Sequence, residues 1–319
     1  MPEKIGLAIS GGGFRGSIIG PHKALWRRNK IPDKIQGVSV GALNAAKLAE
    51  SGIEALEENW RIIGAGHPSA IFNKLDIITR FNSNAPFSDA GLKRLIGKLD
   101  PVKIINSPIE LEVVVNNETK RRMQVFSSRD LIFQVDKENP KNPNRGPHLL
   151  LDAIKASASL PGFFPPVNIL GEWFSDGYCF HLERFADFDT LFVVLHDDPE
   201  PRIFPESHWF RRIFAGPQRV LSDHEEGKIH DFLRDHPDKF TEFKFSSKLG
   251  LVDRILTFLS KGVDKLQGKG RLVLFSPDFS IPTLELASFQ RGDIEKAIDM
   301  SFLQAEKLLD EIYPPTPTV

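Results

Sequence analysis

The chain opens on a short run of apolar positions, Ile5-Gly6-Leu7-Ala8-Ile9, with no alternation of polar ones. A strand buried on both faces reads this way. From Ser17 to Arg28 the apolar positions Ile18, Ile19, Leu25 and Trp26 return at helical spacing, and Ile35 to Val38 reads as a second strand. Ala42 to Ala49 is rich in helix formers and stops at Ser51-Gly52, after which a further helix is predicted over about Ile53 to Ile63. Strand, turn, helix, repeated twice, predicts parallel strands joined by crossover helices. Both turns then sit at the C-terminal ends of strands.

Farther along, Ser88 to Leu99 is amphipathic, with Leu92, Leu95, Ile96 and Leu99 on one face. Ile109 to Val115 and Arg122 to Phe126 read as strands around a hairpin signal, Asn116-Asn117-Glu118. Prolines at 140, 143 and 147 and asparagines at 139, 142 and 144 predict a loop over 136–147. A helix over Leu149–Ala158 and a buried strand over Thr190–Leu195 follow. The last third predicts helical stretches over about 206–236 and Leu251–Val263. A turn at Gly268-Lys269-Gly270, a strand over Arg271–Phe275 and a closing helix from about Gln290 to Ile312 complete it. No repeat and no linker interrupts the pattern. The expectation is one α/β domain over residues 1–319, with a mostly parallel sheet between two helical layers. Its core covers about 4–196, with a looser part over 197–312 and a frayed tail over 313–319.

Two glycine-rich turns carry the chemistry. Gly11-Gly12-Gly13-Phe14-Arg15-Gly16 follows the first strand, and Gly37-Val38-Ser39-Val40-Gly41 follows the second. The first turn offers free backbone N–H groups to a developing oxyanion; the second thrusts a serine outward on a Gly-x-Ser-x-Gly elbow. Together they suggest an acyl hydrolase. The elbow also reads as a small-residue turn that lets helix and strand pack. Gly11, Gly13 and Gly16 also fit a dinucleotide fingerprint, which needs an acidic residue at the end of the next strand. That strand ends in Val38-Ser39-Val40, and Asp33 comes before it.

The two turns, with Ala156-Ser157-Ala158-Ser159-Leu160-Pro161-Gly162-Phe163-Phe164-Pro165-Pro166 and Ser175-Asp176-Gly177, make the chain resemble the patatin-like phospholipases over roughly residues 4–180. The resemblance implies a patatin-like three-layer α/β/α fold and a Ser-Asp dyad without histidine. Ser39 is then the nucleophile and Asp176 the general base, with the N–H groups of Gly12, Gly13 and Phe14 as oxyanion hole. Gly11, Arg15, Gly16, Gly37, Gly41 and Gly177 complete the motifs. An ordinary aspartate is a weak base near neutrality, so burial of Asp176 is expected to raise its pKa. Tyr178 departs from the family's Gly or Ala, and is expected to narrow the acyl pocket or to donate a hydrogen bond to Asp176. The implied substrate is a lipid ester, a phospholipid or lysophospholipid. Two other readings stay open: a non-catalytic lipid- or nucleotide-binding protein on the same scaffold, and a Ser-His-Asp hydrolase. His181, His196, His208, His224, His230 and His236 all follow Asp176 in the order the latter needs.

Composition narrows the partners. A formal net charge of −1 over 319 residues gives no electrostatic case for nucleic acid. A single cysteine, Cys179, excludes a disulfide framework. No metal and no cofactor is expected, since no Cys/His cluster appears. No apolar run is long enough to span a bilayer, and Met1–Lys4 runs into a strand without a signal peptide's apolar region, so a cytoplasmic protein is expected. Transient membrane-surface contact is expected from two stretches, His208–Phe214 and Leu251–Val263. Each of them also reads as a helix packing its apolar side on the core.

Overall fold

In the computed structural model, which describes residues 2–66, 88–131, 145–196, 227–236, 239–245, 270–279 and 292–314, the first two strands are parallel neighbours. β1 (Ile5–Ile9) and β2 (Lys34–Val38) set Leu7 opposite Ile35 and Ile9 opposite Gly37. β7 (Thr190–Val194) lies on the far side of β1, then β9 (Gly270–Phe275) and β8 (Phe240–Phe245), all parallel. β3 (Glu110–Asn117) extends the parallel set beyond β2. Three antiparallel strands complete the nine-stranded sheet: β4 (Arg122–Ser127), β5 (Val167–Ile169) and β6 (Glu172–Asp176).

The central strands feed two cores by alternation, the period-two consequence of the pleat. Ile5, Leu7 and Ile9 of β1, Leu111 and Val113 of β3, and Phe192 and Val194 of β7 face one core. That core is closed by α1 (Gly20–Arg27), α2 (Val40–Ala65), α4 (Pro101–Ile105), α5 (Arg145–Ser157) and α6 (Asp293–Ile312), with the short α3 (Ala90–Ile96) beside α5. Ala8, Val38, Val114, Leu191 and Val193 face the other. There the cover is a 3-10 turn, Leu182–Phe185, and a helix over 227–235 carrying Ile229, Phe232 and Leu233. The result is a three-layer α/β/α architecture with a mostly parallel sheet.

Several boundaries differ from the sequence expectations. The helices expected on either side of Ser51-Gly52 form one element, α2, broken at Gly52, whose φ of 80° and ψ of −169° are not helical. The hairpin turn falls at Glu118–Arg121 rather than at Asn116-Asn117-Glu118, so only Glu118 is common to both. Asn117 stays in the ladder because its side chain is fully buried, donating to Gln124 and Glu172 and accepting from the Lys120 N–H. α5 begins at Arg145, so Pro147 sits in a first helical turn, where a missing N–H costs nothing. β5, β6 and β8 were not foreseen. The segments 206–226 and Leu251–Val263, including His208–Phe214, lie outside the described residues.

Gly41 shows how tightly the elbow helix meets the sheet. A Cβ there would lie 2.3 Å from the Ile9 carbonyl oxygen and 2.5 Å from that of Ser10. Neither backbone group can yield without moving β1. Gly41→Ala should therefore destabilise the fold by about 1–3 kcal/mol, read as a lowered midpoint in chemical or thermal unfolding.

Candidate active site

β3 is the strand that assembles the site. Its residues 112–117 pair with β4 along one edge. The opposite edge is taken by β2 up to the pair Val38↔Val114, and by β6 from Val115↔Asp176 onward. One strand leaves the edge where the other arrives, from the opposite direction. Ser39, the residue after Val38, and Asp176, the last of β6, therefore meet head to head. The Ser39 hydroxyl donates to Asp176 Oδ2 at 2.8 Å.

Backbone groups at this junction are satisfied by a third side chain. Ser157, the last residue of α5, accepts the Ser39 N–H at 2.9 Å and donates its own proton to the Val114 carbonyl at 2.7 Å. Two residues on, the Ser159 carbonyl accepts the Asp176 N–H at 3.0 Å. Beyond Asp176 the chain passes directly over β3: a Cβ on Gly177 would lie 2.5 Å from the Val114 oxygen. It is then pinned by His181, whose N–H donates to buried Gln36 at 2.7 Å.

Ser39 sits at φ 56° and ψ −125°, a conformation that costs a non-glycine residue on the order of 1–3 kcal/mol. The strain aims its hydroxyl away from the strand, while the N-terminus of α2 directs its positive dipole end at the same place. Asp176 is 6% exposed, and its second oxygen, Oδ1, is buried without a hydrogen-bond partner. Burial therefore raises its pKa well above 3.8, against the smaller lowering by the Ser39 hydrogen bond. Because Oδ1 has no partner, the Tyr178 phenol does not donate to it. Tyr178 is not among the residues lining the cleft either, so both expectations for it are corrected.

The glycine loop lies against this pair. Gly12 and Gly13 have φ of 140° and 58°, and Gly11 approaches so closely that a Cβ on it would lie 3.2 Å from Ser39 Cβ. Gly13 and Phe14 line one cleft with Ser39; Gly12 does not. Gly16 and Gly37 are contact points, the first against Val40 and the second against the first turn of α2. Arg15 is 8% exposed, so it is no solvated surface residue. Two polar networks outside the sequence expectations hold the loop. Asn44 donates to the Gly16 carbonyl at 2.7 Å and accepts from Trp60. His196 Nδ1 lies 3.1 Å from the Gly11 carbonyl, and its N–H donates to Ser10. Burial lowers the His196 pKa to about 4, so the ring is neutral and Nδ1 carries the proton given to Gly11.

The cleft measures about 420 Å³, within the range of small-molecule pockets. Apolar side chains from α2, α3 and the segment before β5 dominate its wall, among them Leu43, Leu56, Trp60, Leu92 and Phe164. Among the described residues its charged members, Lys47, Arg94 and Lys98, are all cationic.

These positions discriminate among the sequence readings. Asp33 accepts the Ile5 N–H, at the end of β1 opposite the glycine loop, too far to meet a ribose there. Ser39 contacts a carboxylate directly, whereas His196 is engaged with the loop backbone. A carboxylate rather than an imidazole on the serine, at the mouth of two glycine-rich turns, is the arrangement that the patatin resemblance implies. The chain belongs to the patatin-like phospholipase family, whose sequence profile matches residues 7–181, more than half of its length. Among solved structures it is similar to VipD from Legionella pneumophila, at 15% identity and a TM-score of 0.41, covering 97% of this chain and 67% of that one. It is also similar to the type III effector protein ExoU, at 12% identity and a TM-score of 0.27, covering 97% of this chain and 53% of that one. The chain thus spans about half the length of ExoU. No curated protein sequence matches. Among the described residues no cluster of His, Cys, Asp or Glu is arranged to hold a metal ion.

The buried carboxyl has a thermodynamic signature. Its folded pKa is raised, so between about pH 3.9 and that raised value the unfolded chain has already released a proton the native state still holds. Stability is lost as pH rises through that window. Asp176→Asn, which cannot ionise, should match the wild type near pH 4 and melt above it at neutral pH, measured by thermal unfolding across pH.

Proposed function

We propose that the protein cleaves fatty acyl esters of phospholipids or lysophospholipids, with Ser39 as nucleophile and Asp176 as general base. The observation that carries this reading is the 2.8 Å hydrogen bond from Ser39 Oγ to a buried carboxylate. As Ser39 Oγ attacks the ester carbonyl carbon, its proton passes to Asp176 Oδ2. The carbonyl electrons move onto oxygen, held by the N–H groups of Gly12, Gly13 and Phe14 and favoured by the α2 N-terminus. Collapse expels the alcohol or lysolipid, which takes the proton from Asp176. Water then attacks the acyl-serine with Asp176 as base, freeing the fatty acid and restoring the hydroxyl.

An aspartate suits this task only because burial strengthens it as a base. Direct contact with the serine removes the need for a relay. The apolar cleft accommodates the acyl chain, and its cationic members suit an anionic amphiphile, with Lys47 already paired to Glu50. Among the described residues no helix is long and apolar enough to cross a membrane.

A fluorophosphonate probe read by intact mass should add once to the wild type and not to Ser39→Ala. An unlabelled, well-folded wild type would refute the activated serine. Hydrolysis by Ser39→Ala and by Asp176→Asn should each fall on the order of 10³-fold or more; retention of most activity in the Asn variant would sink the dyad. With Asp176 required as the carboxylate, kcat/KM for a soluble ester should rise with pH along an acid limb. That limb should be centred well above 3.8, where an unperturbed aspartate would place it.

A further inference from the structure

Among the described residues, two of the exposed large apolar side chains share one hairpin: Leu170 is 53% and Trp173 49% exposed. Leu170 and Gly171 form the two-residue turn between β5 and β6, and both have positive φ, 53° and 87°. That geometry selects Asn, Asp or Gly at the first position, because a branched apolar residue is strained there and gains no burial in return. Strain and exposure together single out a residue kept for something outside the fold.

Beside it stands the β3–β4 hairpin. The Trp173 N–H donates to Thr119 Oγ1 at 2.9 Å, and the Glu118 N–H to the Trp173 carbonyl, also at 2.9 Å. The tip of that second hairpin is Lys120-Arg121-Arg122, all exposed, with Arg121 also at positive φ. The acidic groups at hand are Glu172, which pairs with Lys120, and exposed Glu118. The arginines leave the pair of tips net cationic.

The two tips also stand at a defined place. β6 runs antiparallel to β3 and ends at Asp176, so its first residue, Glu172, lies about 13 Å from Asp176, past the C-terminal ends of the parallel strands. The chain that brings Phe164 to the cleft wall enters β5 three residues later, at Val167. We propose that Leu170 and Trp173, flanked by Lys120, Arg121 and Arg122, form an anchor that docks the protein on an anionic lipid surface. An indole and an aliphatic tip enter the headgroup boundary while the cations meet the lipid phosphates. This deepens the lipid-hydrolase reading, since it would bring the strand ends that carry Ser39 and Asp176 toward a substrate layer.

Cosedimentation with vesicles tests it, using phosphatidylcholine alone and phosphatidylcholine mixed with phosphatidylglycerol. The full chain should prefer the mixed vesicles. The Leu170→Asn/Trp173→Gln variant should lose affinity about tenfold or more, and Arg121→Gln/Arg122→Gln should lose the preference for the anionic lipid. Both should keep their hydrolysis of a soluble short-chain ester. Leu170→Asn alone should melt no lower than the wild type, because Asn relieves the turn; a structural role for Leu170 would predict the reverse. A wild type that ignores vesicles, or a Leu170→Asn/Trp173→Gln variant that binds them as the wild type does, overturns the anchor. If vesicle binding follows this pattern while the wild type leaves the soluble ester intact, the anchor stands and the hydrolase reading fails.

Discussion

One edge of one strand is the constraint on which the site depends. β3 gives its edge to β2 as far as Val114 and to β6 from Val115, so two strands that never pair with each other end face to face. A register slip of one residue in either would move its terminal side chain about 3.3 Å along the sheet and turn it to the other face. The Ser39–Asp176 contact is thus set by backbone ladders, which are stiff, rather than by the reach of flexible side chains. The discontinuity leaves a donor on Ser39 and an acceptor on Val114 that the ladder would otherwise have joined. Ser157 bridges them with one hydroxyl, making α5 part of the junction.

Around that junction the protein holds groups in states that cost stability. Ser39 is strained, Asp176 has one buried oxygen without a partner, and His196 Nε2 is buried likewise. Burial holds His22 down to about 3, so it too is neutral. Such costs are sustained by the apolar packing of the parallel strands on either side of the loop, whose residues are almost wholly inaccessible. Concentrating rigid packing under a strained, under-solvated site is the usual relation between stability and activity in an enzyme.

What was legible in the sequence follows the same physics. β1, β7 and β9 announce themselves because a strand buried on both faces has no room for polar residues. The elbow and the glycine loop are legible because positive φ and close backbone approach leave few alternatives to glycine. β6 was hidden: Glu172-Trp173-Phe174-Ser175-Asp176 mixes an exposed aromatic with a buried acid, and its pairing depends on a strand some 60 residues earlier in the chain. Ser157 lay within a recognised block but had no assignable partner, since its role exists only once β2, β3 and α5 converge. Tyr178 misled in the opposite direction. Its place in the motif suggested contact with Asp176, whereas the hydroxyl on that carboxylate is that of Ser39 and Oδ1 has no hydrogen-bond partner.

The break at Gly52 divides α2 into two stretches that line the cleft at different depths of the helix. The first carries the elbow and Asn44; the second supplies Leu56, Asn59, Trp60 and Ile63 to the cleft wall. A helix without that break would transmit any change in its outer half, as rotation and translation, straight to Ser39. With it, the two halves meet at an angle, and the Trp60–Asn44 hydrogen bond is the link that ties the outer wall to the glycine loop. The cleft and the loop beside Ser39 therefore share one polar hinge, and a change of shape in the slot reaches the loop through Asn44.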